Sequence, residues 1–210
     1  AGGPKAFVGL GGRALLHWSL DAFAQAKSVE AVIVAVPAGS EGRVPDEAVV
    51  VAGGASRSES VAAGLERVES ELVAVHDAAR PLVTPELIDE LVAKLLDRPD
   101  AAAVIAAAPI TDTVKRAGEP RPAGGAYDVA ETINRDELWA VQTPQVFRTA
   151  ALREALETKP ERIAAATDDA MLVEEAGGKV LLYPSSPENL KVTTPLDLRI
   201  AELLIAERGA

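Results

Sequence analysis

The 210-residue sequence contains no cysteine. Disulfides, thiolate chemistry and Cys-based metal sites are therefore excluded. Histidine is nearly as scarce, with His17 and His76 the two imidazoles. A zinc site or a Ser-His-Asp triad has little to draw on. Aromatic residues make up 3%, although hydrophobic residues together reach 48%. Alanine supplies much of that share, which predicts thin side-chain layers and helices packed close on a sheet. Positive charge is also short: the formal net charge is −11. That argues against a nucleic-acid partner or an anionic membrane surface. Any anionic ligand must be held by local Lys, Arg and backbone N–H groups against the overall field. Apolar runs such as "AVIVAV" and "AAAVIAAA" are too short to span a bilayer. The opening "AGGPKAF" has no signal-peptide pattern. A cytoplasmic protein, with no membrane partner, is expected.

What is present alternates in kind. Residues 31–36, 48–52, 72–76 and 102–108 read as buried strands, apolar on both faces. Helical patterns lie at 13–26, 56–70 and 84–97. Ser56 and Glu59 have the spacing of a capping box. Thr84 suits an N-cap and Pro85 the first helical position. Such alternation predicts an α/β fold, a mostly parallel sheet with helices on both faces, in one domain. From 109 to 147 the pattern becomes short alternating strands around "GEPRPAGG", which reads as a protruding β-arm. A lone two-stranded arm is marginal in water, so it should pack on something, such as a second subunit. Helices at 149–158 and 168–177, the second capped by Thr167, a strand at 179–183 and a helix begun by Thr194 and Pro195 complete the chain.

Four stretches put polar groups where strands end. They are "GGPKAF" with Lys5, "VVAGGASRSESV" with Gly53, Gly54, Ser56, Arg57 and Ser60, "HDAARP" with His76, Asp77 and Arg80, and "NLKVTTP" with Lys191. Ligands of open α/β sheets sit beyond the carboxyl ends of the strands. Glycines ahead of a helix let backbone N–H groups approach an anion or a base edge. Asp77 offers the hard oxygen ligand a divalent cation wants. Lys5, Arg80 and Lys191 would meet phosphate charge. Each feature also has a plain structural reading. The glycines can be only a turn, Asp77 and Arg80 can pair as a cap, and the lysines can be solvated. His76 can be a structural histidine and Ser60 a neutral helix residue. Together they support a phosphate-ligand site on an α/β sheet. No G-x-G-x-x-G with a following acid is present, which disfavours a nicotinamide dehydrogenase.

At these residues the sequence resembles the 2-C-methyl-D-erythritol 4-phosphate cytidylyltransferases, nucleotidyltransferases of the non-mevalonate isoprenoid pathway. The matching phrases are "PKAF", "GGASRSESVAAGL", "VHDAARPLV", "AAPITDTVKR", "ETINRDELWAVQTPQVF", "TDDAMLVEEAGGKV" and "NLKVTTPLDL". "HDAARP" with "TPQVF" is the specific part. The resemblance implies a Rossmann-like sheet, a homodimer joined by β-arms, the substrates CTP and a sugar-alcohol phosphate, and Mg²⁺. It implies that Lys5 and Lys191 stabilise the reacting phosphate, that Asp77 holds Mg²⁺, and that Arg80 touches the sugar phosphate. Gly53, Gly54, Ser60 and Ala78 would contact the nucleotide, with Arg57 orienting the turn. Thr132, at the tip of the arm, would reach substrate in the partner subunit, and Arg148 would bind phosphate. The family carries a strand and a Gly-rich loop with an Arg ahead of "PK". Neither is seen here, and residues upstream of Ala1 are expected in the full molecule. Two other readings stay open: a CTP-dependent transferase for a pentitol phosphate, and a non-catalytic nucleotide-binding protein.

Overall fold

The structure is a computed structural model and describes residues 5–120 and 125–208. Gly9–Leu10 (β1) and Arg13–Ala14 (β2) form a small hairpin that leads into helix α1, Leu15–Gln25. Ile33–Val36 (β3) pairs in parallel with Val49–Ala52 (β4), and α2 follows at Arg57–Leu65. Leu72–Val75 (β5) precedes α3, Pro85–Leu96, and then β6, Ala103–Pro109. Val114–Pro120 (β7) and Tyr127–Ile133 (β8) form the antiparallel arm. Trp139–Arg148 (β9) leads through α4 (Thr149–Leu156), α5 (Pro160–Ala165) and α6 (Asp169–Glu175) to β10, Val180–Pro184. Helix α7 runs from Pro195 to Arg208. No helix among the described residues is long and apolar enough to cross a membrane.

The expected α/β architecture is present, with one strand reversed. The main sheet has the order β10-β6-β9-β5, and β9 runs antiparallel to both of its neighbours while β10 and β6 are parallel. The stretch that reads as the arm is therefore too long at 109–147. The arm is β7 and β8, and β9 lies inside the sheet. Gln142, Thr143 and Gln145 are buried polar residues in β9, which breaks the apolar signature of a central strand. The turn "GEPRPAGG" falls partly on 121–124, outside the described residues. Among the described residues β3–β4 is a sheet of its own, not joined to β5. Helix α2 spans the two: its Val61 and Leu65 pack with Val73 and Val75 of β5, and Gly64 faces Ile33.

Strand β6 shows why alanine is abundant. Ala103 and Ile105 face one side, with Phe147 of β9, Leu152 and Ala155 of α4, and Ala170, Leu172 and Val173 of α6. Val104 and Ala106 face the other, with Val146 and with Leu91 and Leu95 of α3. The period of two along a strand sends alternate residues to opposite layers. Small side chains in the strand let both helix layers approach closely. Ile88, Leu91 and Leu95 of α3 are fully buried, each contributing about 1.5–3 kcal/mol from burial.

The caps form largely as expected. Ser56 Oγ accepts from Glu59 N at 3.2 Å, and Ser56 N donates to Glu59 Oε2 at 2.9 Å. Thr84 Oγ1 accepts from Leu87 N at 3.3 Å, with Pro85 in the first turn. At α6 the cap is Asp168, not Thr167: its Oδ1 accepts from Met171 N at 2.9 Å. A carboxylate accepts more strongly than a hydroxyl next to the positive helix end.

Candidate active site

The carboxyl end of β5 carries Asp77, the centre of the site. Its Oδ1 accepts from Arg57 Nε at 2.9 Å, and its Oδ2 lies 2.8 Å from Lys191 Nζ. Arg57 stands at the first helical position of α2, fixed there by the capping box. Lys191 sits in the loop between β10 and α7. Val192 N donates to Ala79 O at 2.7 Å, tying that loop to the turn after Asp77. On its other side, Asp197 Oδ2 accepts from Thr193 N and Thr194 N at 2.8 and 2.7 Å. Burial pushes the Asp77 carboxyl up, but the Arg57 charge and the Lys191 hydrogen bond outweigh it and hold the pKa at about 2. Lys191 is 42% exposed, so solvent screens its ion pair and little of it appears as stability.

Arg80 does not pair with Asp77, so the capping pair that the spacing allows does not form. Its Nη1 donates to Asn189 O at 2.8 Å and its Nη2 to Val141 O at 3.3 Å. Arg80 is thereby held beside the Lys191 loop, and among the described residues no carboxylate bonds to it. Asn189 is buried, and its Nδ2 donates to Gln142 Oε1 at 3.0 Å and Thr143 O at 2.8 Å. Around Asp77 the cations Arg57, Arg80 and Lys191 outnumber nearby carboxylates, in a chain whose net charge is −11.

His76 is structural. Asp77 N donates to Thr143 Oγ1 at 3.0 Å, and the Thr143 hydroxyl lies 3.0 Å from His76 Nδ1. The hydroxyl therefore donates to Nδ1, leaving the Nε2 proton for Arg80 O at 3.1 Å. This network needs a neutral ring. Burial, the largest influence, lowers the pKa from 6.5 to about 4. The sign follows. Between these values the unfolded chain binds a proton that the folded one refuses, so this group's stability is full above 6.5 and lost as pH falls toward 4. The Asp77 contribution is lost lower, as pH falls through about 2. His76→Gln is expected to flatten the Tm–pH curve between about 6.5 and 4, measured by thermal unfolding across that window.

The glycine turn is built tightly. A β-carbon on Gly54 would lie 2.3 Å from Glu59 Cβ and 3.0 Å from Glu59 C, so only glycine fits. Gly53 N donates to Val36 O at 2.8 Å. Ser60 Oγ accepts from Gly54 N at 3.1 Å and donates to Ser56 O at 2.9 Å. The Ser60 hydroxyl thus braces the turn itself. Ala78, Ala6 and Phe7 each pack on the cluster of Leu16, Val34, Val36 and Val44, and Lys5, next to Ala6, is exposed.

The metal expected at Asp77 has one carboxylate to bind it. Among the described residues no group of three His, Asp or Glu side chains could hold a cation. Mg²⁺ ordinarily takes one or two carboxylates together with substrate phosphates and waters. Asp77 fits that role, provided Arg57 or Lys191 yields one of its oxygens.

The family model for IspD, 2-C-methyl-D-erythritol 4-phosphate cytidylyltransferase, matches residues 1–207. The chain belongs to this family. A cytidylyltransferase of that name from Prochlorococcus marinus is 40% identical over 217 residues, covering 98% of this chain and 91% of that protein. A bifunctional IspD/IspF enzyme from an Anaeromyxobacter species is 43% identical over 213 residues, covering 98% of this chain. The chain spans about half, 54%, of that bifunctional protein. The crystal structure of the cytidylyltransferase from Thermus thermophilus superposes with a TM-score of 0.81 at 39% identity, covering 98% of this chain and 96% of that one.

Two residues that the cytidylyltransferase resemblance assigns lie elsewhere. Thr132 is not at the arm's tip. It pairs across the ladder with Lys115, one step from the Val114–Ile133 pair at the open end, and its Oγ1 accepts from Lys115 Nζ at 2.6 Å. Arg148 lies opposite Leu72, at the amino end of β5, whereas Asp77 follows the carboxyl end. Its guanidinium donates to the carbonyls of Ala101, Leu95 and Arg98 at 2.9, 3.2 and 3.4 Å, capping the end of α3. It is structural here, because antiparallel β9 carries "TPQVF" away from the site. Sequence reading also passed over Asp169, Thr143 and Asn189. A second acid in a helix's first turn, a Thr before Pro and a loop Asn carry no signal of their long-range partners.

Proposed function

We propose that this protein transfers the cytidylyl group of CTP to 2-C-methyl-D-erythritol 4-phosphate, releasing pyrophosphate. The observation that carries the reading is the cationic cluster of Arg57, Arg80 and Lys191 around Asp77 at the sheet's carboxyl end. The attacking group is a phosphate monoester, largely dianionic near neutral pH because its second pKa is about 6. It needs no general base, and His76, held neutral in a structural network, supplies none. The obstacle is repulsion between two anions. Lys191 and Arg80, together with Lys5 as the family resemblance implies, would offset that charge, and fixed charge of this kind lowers the barrier most where charge grows. Asp77 would hold Mg²⁺, which would neutralise triphosphate charge. Gly53, Gly54 and Ala78 line the turns that would meet cytosine and ribose. The reading places the reaction in the cytoplasm, where nucleoside triphosphates are made. The test is pyrophosphate release from CTP and methylerythritol phosphate with Mg²⁺. Faster turnover of a pentitol phosphate, or CTP binding without turnover, would overturn it.

We also propose a homodimer in which the arm completes the partner's site through Thr132. Tyr127 and Val129 on β8 are 61% and 62% exposed, leaving apolar surface on a hairpin that is marginal alone. A symmetric dimer would carry two shared sites. Inactive Thr132→Ala and Lys191→Ala proteins, mixed under conditions where subunit exchange is shown by mass, are expected to recover roughly one quarter of wild-type activity. Exchange without recovery would rule out a shared site.

A further inference from the structure

Asp169 is a buried carboxyl group that the chemistry above does not use. It opens α6, its side chain is 0% exposed, and it lies 112 residues from Arg57 in sequence. A buried carboxylate persists only when answered by a cation or strong donors. Arg57 Nη1 answers it, donating to Asp169 Oδ2 at 2.5 Å, while Nε of the same guanidinium donates to Asp77 Oδ1 at 2.9 Å. Asp169, Arg57, Asp77 and Lys191 thus form a row of alternating charge. A guanidinium presents its donors in a rigid fork, so fixing one edge on Asp169 fixes the direction of the other. The anchor itself is held. Neighbouring Asp168 accepts from Gln145 Nε2 at 2.9 Å, and Gln145 pairs across the ladder with Val75, two residues before Asp77.

We infer that Asp169 is a positioning residue for nucleotidyl transfer: its buried carboxylate aims Arg57, and Arg57 so aimed holds Asp77 by one donor only, leaving Asp77 able to accept Mg²⁺. The inference rests on the functional reading above and deepens it. Both Asp77 oxygens carry a cation in this structure, so a metal must compete for one of them. While Asp169 shares the Arg57 charge, the competition is mild. Without Asp169 the whole guanidinium turns to Asp77, can grip it through two donors, and excludes the metal. A role confined to holding α6 in place would leave the metal response alone.

Asp169→Asn keeps the shape and removes the charge. The Mg²⁺ concentration for half-maximal rate is expected to rise roughly tenfold to a hundredfold, as for outer partners of metal ligands, with kcat largely recovered at saturating Mg²⁺. The KM for CTP at saturating Mg²⁺ should change little. Calorimetric titration with CTP, with and without Mg²⁺, gives a readout free of turnover: the gain in affinity that Mg²⁺ brings should shrink. Arg57→Lys removes the fork that could grip Asp77 through two donors, since an ammonium reaches one carboxylate and not both, so in the Asp169→Asn background it should bring the Mg²⁺ curve back toward wild type. The two changes should therefore not add. A folded Asp169→Asn protein with a wild-type Mg²⁺ curve overturns the inference, and so does a double variant that keeps the Asp169→Asn shift. If Asp169→Asn does not fold, Arg57→Lys decides, and a roughly tenfold rise in its Mg²⁺ requirement overturns it. Wild-type protein that fails to turn over CTP and methylerythritol phosphate overturns the functional reading and this inference with it. Wild-type turnover with an unshifted Asp169→Asn curve overturns the inference alone.

Discussion

Lys191→Ala is expected to lower kcat by roughly a hundredfold to a thousandfold while moving KM far less. Lys191 hangs from a loop fixed on both sides, by the Val192 bond to Ala79 O and by Asp197 at the start of α7. A loop so pinned aims the ammonium rather than letting it wander. Its partner in this structure is Asp77, and at 42% exposure that pair is screened. Stability should therefore hardly change, and unfolding curves of the variant should overlay the wild type. The ammonium's contribution comes when charge develops on the reacting phosphate, which is why kcat takes the loss. Lys191→Arg separates charge from shape: the charge remains, but a wider planar head replaces a point donor. A Lys191→Ala enzyme with near-normal kcat in single-turnover measurements would reduce Lys191 to a partner of Asp77.

Asp77→Asn is expected to remove most Mg²⁺-dependent activity, by roughly a hundredfold or more. Asn can still accept from Arg57 and so keeps the turn. It cannot carry the negative charge that a hard cation requires. Three cations, Arg57, Arg80 and Lys191, would then face one another with Asp169 as the remaining carboxylate bonded to any of them. Arg57 and Lys191 are 32% and 42% exposed, so water absorbs part of that repulsion, and the stability loss should stay near ~1 kcal/mol. Circular dichroism should report a native fold while Mg²⁺ titration of the rate goes flat. Normal activity at limiting Mg²⁺ would show that the metal does not depend on Asp77. Because the Asp77 pKa is held at about 2, wild-type activity should show no acid limb from this group above about pH 4.

Much of the site was legible before folding. The strand ahead of "HDAARP" put Asp77 at a strand end, and the structure leaves it there, directly after the Val75–Gln145 pair. Ser56, Glu59, Thr84 and Pro85 predicted two helix starts that form as read. Strand β9 was not legible, because a run with Gln142, Thr143 and Gln145 buried in it does not look apolar. Asn189 and Ser186 meet the Gln142 amide, the His76 turn meets Thr143, and Asp168 accepts from Gln145 Nε2, while Gln145 Oε1 has no partner among the described residues. None of these partners is near β9 in sequence.

The division has a physical cause. Caps, helix stripes and strand alternation join residues two to four apart, within reach of any single element, so most elements, the glycine turn and the acid at the strand mouth could be read from residue order. Charge pairing joins residues by distance in space. Arg57 meets Asp77 across 20 residues and Asp169 across 112. Arg80, three residues from Asp77, instead reaches Asn189, 109 residues away. Local spacing allowed an Asp77–Arg80 pair. Packing ruled it out: the Lys191 loop beside β9 offered Arg80 two carbonyls and gave Asp77 to the two cations now lying at 2.9 and 2.8 Å.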